Sequence, residues 1–407
     1  MNLSPSNTDR EALIGQAALM TMAFSGVDLT PLGARLLERA NSHPHDANTL
    51  MDLSTLLQLI GKPEIALTVQ AQALEMQRLY HLPAATGETG IRLLAIMGPG
   101  DFMTNTPLDF LLKGSDVSLD MLYVGAEGEL PETLPEHDVI FVALGEADEH
   151  LPLLAGIERR LSAWSGPLLN RPEAAAGLSR DNAYRKLHSA PGIAMPITAR
   201  IDRATLEKIG CAEKPIGEVL EGGHFPVIAR PVGSHAGRGL SRLDQPSDIP
   251  GYLKTLSDSE FYVSPFVDYR SADGLFRKYR VVLIAGRAYA CHMGISGHWM
   301  IHYLNAGMAE SADKRAEEER FMADFATDFG RRHEEAFRAI FARMDLDYLV
   351  VDCAETQDGR LLIFELDSGA VVHDMDPADL FPYKPAQMRK VFAAFREMLA
   401  RAMKPAL

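Results

Sequence analysis

The segment DYLVVDCAETQDGRLLIFELDSG, residues 347–369, contains two apolar runs separated by Asp358 and Gly359. An Asp-Gly pair between runs rich in Val, Ile and Leu is a strong signal for a β-hairpin with a two-residue turn. In this register Gln357 faces Arg360, and residues farther from the turn pair in the same way. The segment therefore predicts two adjacent antiparallel strands.

Three carboxylates fall on one face of the predicted hairpin. Asp352 lies opposite Glu365, and Asp367 points to the same face because side chains alternate along a strand. Like charges that face each other destabilise a strand pair, especially among apolar residues. A cation would remove this repulsion, and oxygen-only ligands favour Mg²⁺ over zinc. We therefore predict a magnesium site at Asp352, Glu365 and Asp367; the alternative is an acidic edge that faces water.

A second stretch, FPVIARPVGSHAGRGL (residues 225–240), joins a short apolar strand to a basic, glycine-rich loop. Arg230 ends the strand and can bind phosphate oxygens through two parallel hydrogen bonds. Gly233, Gly237 and Gly239 allow backbone N–H groups to fold over phosphates. The loop lacks the Gly-Lys-Ser/Thr ending of a Walker A motif. Together with a magnesium site it predicts binding of ATP; a solvated surface loop is the alternative.

The rest of the chain divides into three predicted regions. Residues 1–88 have helical spacing of apolar residues and are similar to one tetratricopeptide repeat, although a plain helical hairpin fits equally well. Residues 89–175 alternate strands and helices, which is typical of a Rossmann-like α/β domain. Residues 176–407 have an α+β pattern that includes one charged helix over about 312–343 and a closing helix. The segment 84–90 has the composition of a linker.

The glycine-rich turn GPGDFM, residues 98–103, follows the first strand of the α/β region. It lacks the third glycine of a dinucleotide fingerprint, and no acidic residue clearly ends the next strand. The helix start in FMTNTPLDFLL, residues 102–112, can still offer backbone N–H groups to a small anionic ligand.

The composition excludes several classes of protein. The 407 residues are 47% hydrophobic and 23% charged, as in an ordinary soluble protein of two or three domains. A formal charge of -15 argues against nucleic acid as a partner. The three cysteines are widely spaced, which argues against a disulfide framework or a zinc site and favours a reducing compartment. Without an apolar run of ~20 residues we expect no membrane span, and we predict a cytoplasmic protein.

These stretches together resemble the ATP-grasp superfamily, which includes glutathione synthetase and D-alanine–D-alanine ligase. The likeness covers roughly residues 90–400. FPVIARPVGSHAGRGL is similar to the phosphate-binding strand and lid, EFYVSPFV (260–267) to the hinge that reads adenine, and VVDCAE and LIFELDS to the magnesium strands. The resemblance implies an ATP-grasp fold in which two α+β subdomains hold ATP, with a preceding α/β domain.

The resemblance also implies roles for individual residues. KYRVVLIAGRAYA (278–290) is similar to the strand that bears a substrate-side arginine, here Arg280. Arg230 stands in the place of a lysine, Asp367 in that of an asparagine, and Lys278 in that of an acidic residue. The predicted catalytic residues are Arg280, Arg230, His292, His298 and Asn305. The predicted nucleotide-binding residues are Arg230, Gly233, Ser234, His235, Ala236, Gly237, Arg238, Gly239, Ser264, Pro265, Phe266, Val267 and Ile363.

The implied activity is a ligase reaction. ATP would activate a carboxylate of an amino acid or peptide as an acyl phosphate, and an amine would capture it with release of ADP and phosphate. Two alternatives stay open, a catalytically inactive peptide-binding adaptor and an ATP-dependent small-molecule kinase. The helical region is a candidate surface for a protein or peptide partner. The identity of both substrates and the oligomeric state, including a homodimer, are left open by the sequence.

Overall fold

The computed structural model describes residues 11–125, 127–234 and 237–404, so that His235 and Ala236 of the predicted phosphate loop lie outside the described residues. No helix within these ranges has the length and apolar character needed to cross a membrane. The α-helices of these ranges are α1 Gln16–Phe24, α2 Thr30–Ser42, α3 Ala47–Leu59, α4 Pro63–Met76, α5 Leu108–Leu111, α6 Leu151–Leu161, α7 Pro172–Ala175, α8 Arg180–Leu187, α9 Arg203–Gly210, α10 Ile249–Leu253, α11 Ala312–Asp324, α12 Phe329–Arg332, α13 Glu334–Met344 and α14 Lys384–Ala402. The strands are β1 Leu79–Leu82, β2 Ile91–Met97, β3 Val117–Tyr123, β4 Val139–Val142, β5 Leu168–Leu169, β6 Ile193–Ala194, β7 Ala199–Asp202, β8 Val227–Pro231, β9 Ser241–Leu243, β10 Glu260–Pro265, β11 Phe276–Ile284, β12 Arg287–Ser296, β13 Tyr348–Glu355 and β14 Leu361–Asp367.

The chain divides into two compact units. Unit 1 spans Met1–Ala176 and Ser368–Leu407, and unit 2 spans Gly177–Asp367. Residue 88, the predicted end of a helical module, lies inside unit 1. The closing helix α14 also lies in unit 1, although the sequence pattern grouped it with residues 176–407.

Unit 1 contains a five-stranded sheet of order β1-β3-β2-β4-β5. Strands β2 to β5 are parallel, and β1 adds to the edge in the antiparallel sense. Almost every residue of β2 and β4 is buried, as expected for parallel strands that are covered on both faces. Helix α14 contributes to this core, since the ring of Phe395 lies 5.8 Å from that of Phe141 on β4. The α/β pattern predicted for this region is confirmed.

The N-terminal helices are bonded directly to the glycine-rich turn 98–103. The side chain of Gln70 on α4 accepts from the Gly100 N–H at 2.8 Å and donates to the Gly100 carbonyl oxygen at 2.9 Å. The Gln58 side chain on α3 accepts from the Phe102 N–H at 3.1 Å. Helix side chains therefore accept from the N–H groups of Gly100 and Phe102. Binding of a small anion by the helix start in residues 102–112 stays a prediction.

A small cavity of about 50 Å³ lies within unit 1. Its lining includes Asp52, Gln58, Gln70, Asn105 and Asp109. Asp52 is 2% exposed and accepts from the N–H groups at residues 14 and 15 at 2.8 and 3.1 Å. Burial raises the pKa of Asp52 to about 6, because these two hydrogen bonds only partly offset its desolvation. The helices and the α/β residues therefore share a buried polar interior.

Unit 2 has the predicted α+β character and contains two sheets. The first, of order β7-β10-β8-β9, is antiparallel, and its core includes Leu206, Val227 and Phe261. The second has the order β12-β11-β13-β14-β6 and is antiparallel except for β6.

The single charged helix predicted over about 312–343 is instead divided into α11, α12 and α13. The chain leaves helical geometry at Asp328, where ψ is -93°. This break brings the ring of Phe329 within 4.4 Å of that of Tyr279 on β11 and within 5.9 Å of that of Phe325. Aromatic packing against the sheet thus overrides the charged helical pattern.

Candidate functional site

The carboxylate hairpin has the predicted pairing but not the predicted turn. Asp352 on β13 pairs with Glu365 on β14. At the turn, however, the Thr356 N–H donates to the Arg360 carbonyl oxygen at 3.0 Å, so that three residues form the loop and not two. Phe364 is an extra residue in β14, since the register shifts by one beside Asp352. The extra residue in the loop and the extra residue in the strand compensate each other. The prediction of a two-residue turn was therefore wrong, but the predicted pairing of Asp352 with Glu365 is confirmed.

The pairing continues as a polar row across the second sheet of unit 2. His292 on β12 pairs with Arg280 on β11, Arg280 pairs with Asp352, and Asp352 pairs with Glu365. Directly paired residues point to the same face of a sheet, so four strands each contribute one polar side chain to this row. A second bulge, at Cys291, lies beside the His292–Arg280 pair. Bulges next to functional sites re-aim side chains.

Asp352 is bound by two basic side chains. Arg280 donates from Nε at 2.8 Å and from Nη2 at 3.0 Å, and Lys278 Nζ lies 2.7 Å from Asp352 Oδ2. Burial raises the pKa of this carboxyl group, but Arg280 and Lys278 outweigh the burial and hold the pKa well below its usual range. Asp352 is therefore ionised, and Arg280 and Lys278 already balance its negative charge.

Glu365 is bound by an arginine that the sequence did not single out. Arg180, at the start of α8, donates from Nη2 to Glu365 Oε1 and from Nη1 to the carbonyl oxygen of Phe364 at 2.6 Å. The bulge at Phe364 thus supplies one of the two acceptors for this guanidinium. In the sequence, Arg180 is one of three basic residues in the short helix RDNAYRKL, and the helical pattern does not distinguish it from Arg185 or Lys186.

Arg230 lies close to Arg180. Burial and the neighbouring Arg180 lower the pKa of Arg230 to about 10, whereas Glu365 raises it. Two neighbouring guanidinium groups are a favourable arrangement for binding an anion, because a further negative charge relieves their repulsion.

The glycine-rich loop begins at Arg230. Arg230 donates from Nε to Ser234 Oγ at 3.2 Å and from Nη2 to the Ser234 carbonyl oxygen, and Ser234 Oγ donates to the Pro231 carbonyl oxygen at 2.8 Å. Gly237 and Gly239 have φ of 78° and 65°, and a Cβ at Gly239 would lie only 2.7 Å from Pro231 Cδ. The loop thus requires glycine at that position, and Arg230 is held by the backbone of the loop itself.

The predicted adenine hinge follows β10. Ser264 and Pro265 pair with β8, and the Phe266 N–H donates to the Pro226 carbonyl oxygen at 3.0 Å. The N–H of Val267 has no hydrogen-bond partner among the residues that the structure describes. Its role as a donor to adenine stays a prediction. Ile363, the other predicted adenine contact, is 3% exposed on β14.

The predicted catalytic residues His292, His298 and Asn305 have different surroundings. His292 belongs to the polar row, and its ring lies 4.4 Å from that of Tyr303. His298 is exposed, and the side chain of Asn305 accepts from the His302 N–H at 3.1 Å. Burial, together with Lys278 and Arg280, lowers the pKa of His302. His292 and His302 are therefore the histidines associated with the polar row and its counter-ions.

The predicted magnesium ligands do not form a ready three-carboxylate site. Within the described part of the chain, no group of three or more His, Cys, Asp or Glu side chains is placed to hold a metal ion. Asp352 in particular does not fit the role of a ligand, because two cations already bind it. Seven charged side chains around Asp352 and Glu365 influence one another electrostatically, and we call them the charge cluster. It has four positive and three negative members: Arg180, Arg230, Lys278, Arg280, Asp352, Glu365 and Asp367.

No protein-family model matches the chain, and the search of curated proteins gives no match. Solved structures do show similarity. A D-alanine–D-alanine ligase from Bacillus anthracis complexed with ATP is 13% identical with a TM-score of 0.44, and the match covers 78% of this chain and 100% of that chain. The D-Ala:D-Ser ligase VanG from Enterococcus faecalis is 12% identical with a TM-score of 0.48, with 77% and 99% covered. A RimK domain ATP-grasp protein from Sphaerobacter thermophilus is 15% identical with a TM-score of 0.44, with 76% and 99% covered.

At such identities and TM-scores, the activity of this chain has to be inferred from its own side chains.

Proposed function

We propose that this chain is an ATP-dependent carboxylate–amine ligase. The observation that carries the proposal is the position of two arginines beside the glycine-rich loop: Arg230 is hydrogen-bonded to Ser234 of the loop, and Arg180 is paired with Glu365. The electrostatic influence of Arg180 and Glu365 on the pKa of Arg230 agrees with their proximity. Two partly buried guanidinium groups with one carboxylate call for a further anion, and a polyphosphate supplies it. The N–H of Val267, which has no hydrogen-bond partner among the described residues, would donate to a purine ring at the other end of the same ligand.

The polar row supplies the groups that a phosphoryl transfer needs. Such a transfer depends mainly on cations that are fixed where negative charge develops. Arg280 is fixed by its two hydrogen bonds to Asp352, and Arg180 is fixed by Glu365 and the Phe364 carbonyl oxygen. Because these side chains are held before the substrate arrives, little reorganisation is required during the reaction.

The proposed reaction takes ATP as its Mg²⁺ complex. A carboxylate oxygen of the first substrate attacks the γ-phosphorus, the bond to the β-phosphate oxygen breaks, and ADP leaves. The amine nitrogen of the second substrate then attacks the acyl carbon, and the carbon–oxygen bond to phosphate breaks. The amine loses one proton in this step. His302 is a candidate to accept it, because its lowered pKa keeps the imidazole neutral near pH 7.

The glycine-rich loop would exclude water from the acyl phosphate. In the present structure Arg230 binds the carbonyl oxygen of Ser234, so its guanidinium ties the strand to the loop. Phosphate oxygens of a bound nucleotide would compete with the Ser234 carbonyl oxygen for this guanidinium.

The test is an assay of ADP release with Mg²⁺-ATP and a panel of amino acids and short peptides. We expect ADP and phosphate only when both a carboxylate and an amine are present, with one amide bond per ATP. Hydroxylamine in place of the amine should give a hydroxamate. A phosphorylated product that accumulates without bond formation would identify a kinase, and nucleotide binding without turnover on any pair would identify an adaptor.

A further inference from the structure

Both oxygens of the Asp352 carboxylate are engaged by basic side chains of the neighbouring strand. Arg280 Nε lies 2.8 Å from Oδ1 and Arg280 Nη2 lies 3.0 Å from Oδ2, while Lys278 Nζ lies 2.7 Å from Oδ2. The Asp352 side chain is only 4% exposed. The Asp352 carboxylate is therefore buried and paired with two cations, Arg280 and Lys278.

Lys278 reaches Asp352 because of its place on β11. It lies two residues before Arg280, so both side chains point to the same face of the strand. In the ATP-grasp pattern an acidic residue stands at this position, whereas this chain has a lysine. The substitution replaces a negative charge with a positive one beside the carboxylate that the sequence pattern predicts as a metal ligand.

A metal ion at Asp352 would have to displace Lys278. Breaking a buried ion pair is costly, because the group that is left behind keeps its charge without its partner. The displaced ammonium group would also lie close to Arg280 and to the incoming cation, and like charges repel. Glu365, directly opposite, gives no relief, since it is bound by Arg180.

We propose that Lys278 is a built-in counter-ion that takes the place of a divalent cation at Asp352. The metal ion that accompanies ATP is then held without Asp352. The inference rests on the proposed function for the identity of the nucleotide, but the ion pair and its effect on metal binding can be measured with no nucleotide present.

The first experiment is a titration of the full-length protein with Mn²⁺ alone, in which electron paramagnetic resonance reports free Mn²⁺. Lys278→Gln keeps both Arg280 hydrogen bonds to Asp352 but frees the position of Nζ. We expect it to bind Mn²⁺ about tenfold more tightly than wild type, because Asp352 Oδ2 loses its contact with the ammonium group and becomes accessible to a cation. An unchanged or weaker affinity would overturn the inference.

Lys113→Gln is the matched control, because Lys113 Nζ also lies 2.7 Å from an aspartate, Asp374, but belongs to unit 1. It makes the same change in net charge and should leave Mn²⁺ affinity at the wild-type value. A tenfold gain in this control as well would show a general charge effect and contradict the role of Lys278.

The second experiment uses Asp352→Asn, with folding checked by circular dichroism. In the wild-type background it should leave Mn²⁺ affinity unchanged, since Asp352 is not available to the metal ion. In the Lys278→Gln background it should remove the tenfold gain. A loss of affinity in the first case, or a gain that survives in the second, would show that the inference is wrong. Because no ATP is present, these outcomes do not depend on ligase activity.

Discussion

Asp352 and Glu365 are direct cross-strand partners, yet each carboxylate is bound by a different arginine, Arg280 for Asp352 and Arg180 for Glu365. The like-charge repulsion expected from the sequence is therefore neutralised within the protein. As a result, the expected effect of removing one carboxylate on the free energy of unfolding changes from a gain to a loss. The sequence pattern alone predicts that losing Glu365 relieves repulsion, whereas the structure predicts that it leaves Arg180 without its carboxylate partner and Arg230 without the compensating charge of Glu365.

Glu365→Gln should lower the free energy of unfolding by about 2 kcal/mol at pH 7, the scale of a hydrogen bond to a charged group. Although burial raises the pKa of Glu365, Arg180 and Arg230 bring it below its usual value. The stabilisation is thus present above the unfolded pKa and fades as the pH falls through the folded pKa. Urea unfolding at pH 7 and pH 3.5 measures this difference.

Glu260→Gln is the matched control for that measurement. Glu260 also binds an arginine, Arg200 at 2.6 Å, but its side chain is 45% exposed. We expect a loss of at most about 1 kcal/mol, as for exposed ion pairs. A Glu365→Gln protein that is more stable than wild type would contradict the ion-pair assignment.

Arg180→Met should weaken ATP binding about tenfold or more, because a charge-assisted contact to phosphate is lost. Affinity for adenosine, which lacks phosphate, should stay unchanged. Arg185→Met is the control on the same helix, since Arg185 is 66% exposed and pairs with Asp181. Isothermal titration with both ligands measures the effect. Equal losses for ATP and adenosine would place Arg180 outside the phosphate site.

Asp52 should make stability depend on pH. Its pKa is raised from 3.8 to about 6 in the folded protein. Between these two pH values, the folded state therefore holds a proton that the unfolded state has lost. This contribution is complete below the unfolded pKa and is lost as the pH rises through 6. Relative to Asp52→Asn, wild type should lose about 1.4 kcal/mol between pH 5 and pH 7.5. A difference between the two proteins that stays constant with pH would refute the assignment.

Gln70→Ala should lower the free energy of unfolding by about 2 kcal/mol, because it removes both hydrogen bonds to Gly100 and leaves the half-buried N–H and carbonyl groups of Gly100 without these partners. Gln72→Ala, an exposed position on the same helix, should change it by less than about 0.5 kcal/mol. Thermal or urea unfolding compares the two. Equal effects would mean that the helices do not rely on the 98–103 turn.

Local patterns in the sequence predicted the parts of the site that depend on local rules. Strand alternation places Asp352 and Glu365 on one face whatever turn joins the strands, provided that the register is kept. The bulge at Phe364 keeps it. Positive φ in the glycine-rich loop was likewise predictable, because only glycine adopts it at little cost.

The remainder depends on contacts between distant residues. Arg180 and Glu365 are far apart in sequence, and nothing in the helix RDNAYRKL marks its first arginine. The bonds between Gln70 and Gly100 likewise join a helix to a turn that the sequence assigned to separate domains. Single-residue bulges leave no pattern either, since Cys291 and Phe364 fit the strand composition on both sides.

Unit 1 is built from both ends of the chain, with unit 2 encoded between its two parts. During translation, strand β4 leaves the ribosome long before helix α14, whose Phe395 contacts Phe141 on that strand. The whole of unit 2 is synthesised in the interval, so the nascent sheet carries an uncovered apolar surface at the stage when chaperones bind such surfaces. A premature stop codon just before α14 would therefore yield an aggregating polypeptide and not a merely shortened protein.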